Sequence, residues 1–194
     1  MTADGTYGQV IWITGLSGVG KSSLALALIE RLRTYHVSPI HLDGDQMRVA
    51  LSSMIESENA YSTRQRVLLA RTYSHLAQLL AEQNHLVVVS TISLFHEITE
   101  WNRAHLPNYL EVLITATAQD LRSRDSKGLY RRADIGEIDS VIGVDLSAEF
   151  PDNSDFIFSQ SPSQSLTKKV DQILTRVLCA KEIPLPERTV DRTQ

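Results

Sequence analysis

The chain has 194 residues, and its 19 Lys and Arg against 23 Asp and Glu give a formal net charge of -4 at pH 7. This acidic balance lacks the basic surface that duplex nucleic acid or anionic lipid requires, so no nucleic acid or membrane partner is expected. No apolar run approaches the roughly 18 residues of a membrane span, and the composition predicts a soluble cytoplasmic protein.

Five short apolar runs are predicted to be strands, and several are apolar throughout, as in strands buried on both faces. They are "VIWIT" (10–14), "PIHLD" (39–43), "HLVVVST" (85–91), "YLEVLITA" (109–116) and "DFIF" (155–158). Stretches with helical spacing alternate with them: "SSLALALIERLRTY", "STRQRVLLARTYSHLAQLLAEQN" and "SLTKKVDQILTRVLCA". This alternation predicts an α/β fold with one mostly parallel sheet and helices on both faces.

Two segments depart from the alternation. Residues 124–153 are rich in charge and glycine, and a connector of this length is typical of a functional segment. Residues 181–194 combine prolines and charges and are expected to be a flexible tail, which leaves residues 1–180 as a single domain. The only cysteine, Cys179, excludes an internal disulfide and is expected to be a buried thiol of the last helix.

The stretch "GLSGVGKS" lies between the first predicted strand and the first predicted helix and matches G-x-x-x-x-G-K-[ST]. Glycines let backbone N–H groups converge on a phosphate, and the helix adds its positive dipole end. The loop therefore predicts a nucleoside triphosphate site, although a tight strand-to-helix turn is the alternative. We expect Lys21 to reach the β- and γ-phosphates and Ser22 to ligate Mg²⁺. The predicted nucleotide-binding residues are Gly15, Leu16, Ser17, Gly18, Val19, Gly20, Lys21, Ser22 and Ser23.

A second motif, "HLDGDQMR", places Asp43 and Asp45 directly after the second predicted strand, at the edge where open α/β sheets bind ligands. These carboxylates could hold water on the metal or accept the proton of an attacking hydroxyl, and Arg48 could clamp an anionic acceptor. Asp-Gly-Asp is also a common turn and helix-cap pattern. The sequence has no Asn-Lys-x-Asp segment for reading guanine, which favours a kinase of a small acceptor over a GTPase switch.

With "STISLFHE", "RDSKGLYRRADIGEI" and "GVDLSAEFP", these motifs resemble the adenylylsulfate kinase family over roughly residues 9–158. The resemblance implies a P-loop kinase fold of three α/β/α layers, with a lid at about 124–153. It implies transfer of the γ-phosphate of MgATP to the 3′-hydroxyl of adenylyl sulfate, with Lys21, Asp43 and Asp45 as catalytic residues. The acceptor-binding residues that it implies are Asp43, Arg48, Tyr61, Arg66, Ile92, Ser93, Lys127 and Leu129. Family members are often dimers, so a homodimer is left open.

Four positions depart from the family pattern. Leu69 stands where the family has an asparagine that contacts adenine, and Val141 where it has a second stacking aromatic. His96 and Asp134 each stand where the family has an arginine. Because each stacking partner contributes about 1–3 kcal/mol, these changes predict weaker adenine selection.

The stretches "TISLFHEITEWNR" and "LPNYLEV" are similar to a divergent branch that includes a cytidine diphosphoramidate kinase. The same chemistry on that acceptor is therefore one alternative to adenylyl sulfate. A nucleotide-binding regulatory module that has lost catalysis is the other.

Overall fold

The computed structural model describes residues 8–55, 61–125, 127–160 and 164–180. Five strands occur within these ranges: β1 (Gln9–Thr14), β2 (Ile40–Asp43), β3 (Leu86–Ser90), β4 (Leu110–Thr115) and β5 (Phe156–Ser159). The α-helices there are α1 (Lys21–Arg33), α2 (Gly44–Ala50), α3 (Thr63–Glu82), α4 (His96–His105), α5 (Ala118–Ser123), α6 (Leu129–Asp134) and α7 (Leu166–Ala180). A 3-10 helix covers Ser52–Met54. The tail expected at 181–194 lies outside the described residues.

The five strands form one sheet in the order β2-β3-β1-β4-β5, and every adjacent pair is parallel. This confirms the predicted parallel sheet. Because all the strands run the same way, their carboxyl ends lie along one edge. The P-loop after β1 and the Asp43 motif after β2 therefore meet at that edge.

Helices cover both faces of the sheet, which confirms the expected three layers. Successive residues of β1 point to opposite faces, so Ile11 and Ile13 join the core beneath α1 and α7. Val10 and Trp12 join the core beneath α3 and α4 on the other face. The central strands β1, β3 and β4 are buried along almost their whole length because both of their faces are covered.

Cys179 is exposed, so the expectation of a buried thiol is wrong. The buried stripe of α7 follows the helical spacing i, i+3, i+4, i+7, i+8, and Cys179 falls one position past it. The residues of that stripe are Val170, Ile173, Leu174, Val177 and Leu178.

Among the helices described, none has the combined length and apolarity needed to cross a bilayer.

Candidate functional site

The P-loop follows β1 at the carboxyl edge of the sheet, and its backbone requires glycine at two positions. Gly15 has φ 144°, and a Cβ there would lie 2.3 Å from the carbonyl oxygen of Ile114. Gly20 has φ 90° and is the N-cap of α1, where no side chain caps the helix. The first N–H groups of α1 therefore remain available at the loop, as an anion cradle requires.

Lys21 folds back over this loop, and its Nζ donates a hydrogen bond to the carbonyl oxygen of Leu16 at 2.7 Å. Burial lowers the pKa of Lys21 to about 8; Asp45 opposes this shift, and Lys127 adds to it. When burial disfavours the charged form of a lysine, an incoming phosphate stabilises that charged form strongly. Lys21 therefore lies over the P-loop, and its contact with a triphosphate stays a prediction.

Asp43 is a helix cap and also faces the P-loop. Its Oδ1 accepts hydrogen bonds from the backbone N–H groups of Asp45 at 3.1 Å and Gln46 at 3.4 Å, at the start of α2. Its Oδ2 accepts hydrogen bonds from the hydroxyls of Ser22 at 2.7 Å and Ser90 at 2.8 Å. Burial raises the pKa of Asp43, but these four hydrogen bonds outweigh it and hold the pKa below its ordinary value. Asp43 is therefore a stable carboxylate at neutral pH.

The Ser22 hydroxyl and the Asp43 carboxylate suit a Mg²⁺ ion accompanied by phosphates. Mg²⁺ in nucleotide sites is bound by hard oxygen ligands, commonly one or two carboxylates together with phosphate oxygens and water. The two side chains provide such oxygens 2.7 Å apart, beside the loop predicted to hold the phosphates. The donor set thus fits the ion that the sequence predicts.

Asp45 and Lys127 form an ion pair that joins α2 to the lid segment. Both side chains are largely exposed, so the pair contributes little to stability. Both charges also act on Lys21, since Asp45 raises its pKa and Lys127 lowers it. The structure thus brings three of the predicted site residues together around the end of the P-loop.

Arg48, Tyr61 and Arg66 form a second group of predicted site residues. The guanidinium carbons of Arg48 and Arg66 lie 4.9 Å and 5.4 Å from the centroid of the Tyr61 ring. Burial and the neighbouring charge of Arg48 both lower the pKa of Arg66. The two positive charges beside the Tyr61 ring make this part of the site electropositive, which suits an anionic acceptor.

Arg66 also contacts the lid segment. Its Nη2 donates to the carbonyl oxygen of Ser140 at 2.8 Å, while its Nε donates to the carbonyl oxygen of Tyr61 at 2.8 Å. Ser140 has φ 61°, and its backbone N–H donates to the carboxylate of Asp145. The Val141 N–H donates to the same carboxylate at 2.6 Å. This turn of the lid is thus held from one side by Arg66 and from the other by Asp145.

Several residues linked by sequence to acceptor binding lie in the core instead. Ser93 is buried, and its hydroxyl accepts a hydrogen bond from Nε1 of Trp12 at 2.8 Å. Leu69 packs in the core beneath α3, and Val141 packs in the core beneath α1. Ile92 is half-buried against the core beneath α3. The Ser93 hydroxyl is thus engaged in the core, and its contact with the acceptor stays a prediction.

The lid segment docks on the P-loop through the predicted "KGLY" stretch. The hydroxyl of Tyr130 donates to the carbonyl oxygen of Ser17 at 2.9 Å. Burial, followed by the negative charge of Asp125, raises the pKa of Tyr130 to about 12, so the phenol keeps its proton. Asp125 also caps α6 by accepting the Leu129 N–H at 2.7 Å. Leu129, a predicted acceptor contact, is thus held at the first turn of this helix.

Two residues near the P-loop were missed by sequence reasoning. Nε2 of Gln160, just after β5, donates to the carbonyl oxygen of Val19. Nη1 of Arg124 donates to Oε1 of Gln160 at 3.1 Å. Both line a cavity of about 330 Å³ beside Gly18 and Gly20. Arg124 also lines a lid cavity of about 760 Å³. No local motif marks Gln160, because the residue it contacts is 141 positions away.

Comparison with known proteins finds relatives over most of the chain. The family model described as adenylylsulphate kinase matches residues 7–159. Cytidine diphosphoramidate kinase from Campylobacter jejuni is 38% identical over 168 residues, covering 87% of this chain and 95% of that protein. Adenylyl-sulfate kinase from Gloeothece citriformis is 35% identical over 170 residues, covering 88% and 94%. The solved structure of the Mycobacterium tuberculosis APS kinase CysC in complex with AMPPNP and APS has a TM-score of 0.79 and 33% identity, covering 88% of this chain and 98% of that one.

Proposed function

Because the chain belongs to the adenylylsulphate kinase family, we propose that it transfers the γ-phosphate of ATP to the 3′-hydroxyl of a nucleotide acceptor. Family membership makes it a phosphotransferase that acts on a hydroxyl group. The observation that carries the finer proposal is the convergence of Lys21, Ser22 and Asp43 at the carboxyl edge of the sheet. We also propose that the reaction occurs in the cytoplasm and that the partners of the protein are small nucleotides.

In the proposed mechanism, this chain contributes positioning and charge. The P-loop N–H groups and Lys21 hold the triphosphate, while Ser22 and Asp43 hold Mg²⁺ directly or through water. Mg²⁺, when bound, neutralises charge on the phosphates. Asp43, with its low pKa and four hydrogen-bond donors, is a weak base, which favours a role in orienting the metal's water or the hydroxyl over full proton abstraction. Arg48 and Arg66 grip the anionic group of the acceptor, and the lid excludes water.

Adenylyl sulfate is the acceptor that the family name implies, and cytidine diphosphoramidate is the second candidate. The burial of Val141 favours the second, because this side chain cannot replace the stacking aromatic on a purine. Tyr61, 57% exposed beside the two arginines, offers one aromatic face to a base. The identity to the Campylobacter jejuni enzyme supports the same choice.

The experiment incubates the protein with MgATP and a panel of acceptors that includes adenylyl sulfate and cytidine diphosphoramidate. ADP release gives the rate, and phosphorus NMR identifies the hydroxyl that is modified. We expect 3′-phosphorylation of one of the two, with the pyrimidine acceptor preferred. ATP binding without transfer to any acceptor would favour the regulatory module instead.

A matched variant tests the P-loop assignment. Lys21→Ala removes the cation expected at the β- and γ-phosphates, and turnover should fall by at least about 100-fold. Lys168→Ala, on the exposed first turn of α7, is the control for loss of a lysine and should keep wild-type turnover. An unchanged rate in Lys21→Ala would refute the assignment.

A further inference from the structure

Asp43 has a hydrogen-bond partner on the sheet, Ser90, that belongs to neither the P-loop nor the lid. The register of β2 against β3 pairs Asp43 with Ser90. His41 lies two residues before Asp43 and therefore points to the same face of the sheet. The Oγ of Ser90 lies 2.8 Å from Oδ2 of Asp43, and Nε2 of His41 lies 2.9 Å from the same Oγ. The three side chains thus form a continuous chain that ends at the carboxylate.

The direction of these hydrogen bonds follows from their chemistry. An ionised carboxylate can only accept hydrogen bonds, so the Ser90 hydroxyl must donate its single hydrogen to Asp43. The Ser90 oxygen can then only accept from His41, which requires a hydrogen on Nε2. Ser90 is 2% exposed, so bulk water does not orient its hydroxyl. His41 therefore fixes the rotation of the Ser90 hydroxyl, and Ser90 fixes Oδ2.

Asp43 is 8% exposed, and the orientation of its Oδ2 depends on the two hydroxyls that donate to it. It lies at the end of the edge strand β2 and at the start of α2, a helix of 7 residues with no buried residue. Ser22, the other hydroxyl on Oδ2, is also the predicted ligand of Mg²⁺. Ser90 is the hydroxyl donor to Oδ2 for which no contact with the nucleotide or Mg²⁺ is predicted.

We propose that Ser90 and His41 are positioning residues for phosphoryl transfer, holding Oδ2 of Asp43 in its working orientation through the chain His41–Ser90–Asp43. This inference rests on the proposed function. A displaced carboxylate orients the reacting groups poorly, while the P-loop still binds ATP, so the effect belongs in kcat rather than in the KM for ATP.

The kinetic test compares substitutions along the chain. Ser90→Ala should lower kcat about tenfold and leave the KM for ATP within about twofold, since it deletes a hydrogen bond to a charged group. His41→Leu should lower kcat in the same way. His41→Gln should recover most of the rate, because its amide can donate to Ser90. A merely structural role for the imidazole would not predict this recovery.

Matched controls lie away from the site. Ser74→Ala removes a buried hydroxyl that donates to the carbonyl oxygen of Ala70 within α3. His85→Leu changes an exposed histidine just before β3, at the opposite edge of the sheet. Both controls should keep the wild-type kcat. The inference is overturned if Ser90→Ala and His41→Leu also keep it, or if His41→Gln is as slow as His41→Leu.

A second measurement does not depend on turnover. Nitrogen-15 NMR of the imidazole at pH 8, where a histidine of ordinary or lowered pKa is neutral, reports which ring nitrogen carries the hydrogen. We expect the Nε2–H form for His41 in the free protein, and the Nδ1–H form would overturn the inference. If the wild-type protein phosphorylates no acceptor, the proposed function fails, and the tautomer still decides the direction of the chain.

Discussion

Lys21 shows how a single buried charge can make nucleotide binding depend on pH. Its pKa of about 8 in the free protein reflects burial, and the nearby Asp45 only partly offsets it. A bound triphosphate favours the ammonium form and should raise this pKa towards or above its ordinary value. Binding should therefore take up a proton when the pH is above about 8.

We predict that ATP affinity weakens as the pH rises above 8, by up to about tenfold per pH unit, because the free protein must first protonate Lys21. Calorimetry in two buffers of different ionisation enthalpy at pH 8.5 measures the proton uptake directly. Lys21→Met should bind ATP more weakly and lose the proton uptake. Proton release, or an affinity independent of pH between 7 and 9.5, would contradict the assignment.

A substitution of Asp43 tests whether its carboxylate both caps helix α2 and takes part in phosphoryl transfer. In Asp43→Asn the Oδ1 atom can still accept from the backbone of α2, so the cap is largely retained. The charge is lost, and the new amide donor faces the hydroxyls of Ser22 and Ser90. We expect kcat to fall by about 100-fold or more, with ATP affinity changed by only a few fold. Rapid-quench turnover and calorimetric ATP binding separate these two effects.

The control for Asp43→Asn is Asp120→Asn, which changes a half-buried carboxylate in the first turn of α5, away from the P-loop. It should leave both kcat and ATP affinity unchanged. Full activity of Asp43→Asn would mean that Asp43 is a structural cap alone.

At the scale of elements, the lid and the P-loop are connected by the Tyr130–Ser17 hydrogen bond. Tyr130→Phe removes this bond, worth about 1 kcal/mol, and retains the buried ring. We expect the KM for ATP to rise about fivefold, and a larger share of ATP to be hydrolysed without acceptor because the lid excludes water less well. The ratio of ADP to phosphorylated acceptor measures that share.

Tyr35→Phe is the corresponding control, since it removes a phenol hydroxyl beyond the end of α1 and keeps the ring near Arg31. It should leave the KM and the product ratio unchanged. If Tyr130→Phe behaves in the same way, the hydrogen bond does not support lid closure.

The sequence predicts the elements with local signals and misses those that depend on distant contacts. All five strands and the helices α1, α3 and α7 follow from apolar runs and helical spacing. The short helices α5 and α6 were not predicted within or beside the lid, because six residues are too few to show a spacing. Their caps, such as Asp125 on α6, become visible only in the structure.

The candidate site also contains residues that local motifs predict and residues that only distant contacts reveal. The P-loop and Asp43 are found from motifs, because phosphate binding imposes local spacing on the chain. The pairing of Ser90 with Asp43 spans 47 residues and depends on strand register, which one sequence does not reveal. For Ser93, a family motif predicts an acceptor contact, which stays a prediction, and the structure adds that the buried hydroxyl accepts a hydrogen bond from Trp12.

At the scale of the whole molecule, a buried polar network holds the edge of the sheet opposite the site. Glu111, near the start of β4, is 1% exposed. Its carboxylate accepts hydrogen bonds from Tyr109 at 2.8 Å and from Arg103 at 3.1 Å. Arg103 also donates to the carbonyl oxygen of Asn153, which lies at the end of the lid segment. The network therefore joins α4, β4 and the chain entering β5.

Breaking this network should destabilise the fold in a pH-dependent way. Burial raises the pKa of Glu111, and the hydrogen bonds from Tyr109 and Arg103 only partly oppose it. A raised pKa means that the folded state binds more protons than the unfolded chain, so stability from this group falls as pH rises above its ordinary pKa. Arg103→Met removes the cation and raises this pKa further, which makes the fall steeper.

We predict that Arg103→Met lowers the free energy of unfolding by about 2 kcal/mol at pH 7, somewhat less than a fully buried pair because Arg103 is partly exposed. The loss in the free energy of unfolding relative to the wild type should be smaller at pH 5, where the Glu111 carboxylate takes up a proton more readily. Urea unfolding at both pH values measures it. Arg71→Met, which breaks the exposed pair with Glu97, should cost less than about 0.5 kcal/mol at either pH. Equal losses in the two variants, or a deficit that grows towards pH 5, would show that Glu111 is not the charge that Arg103 stabilises.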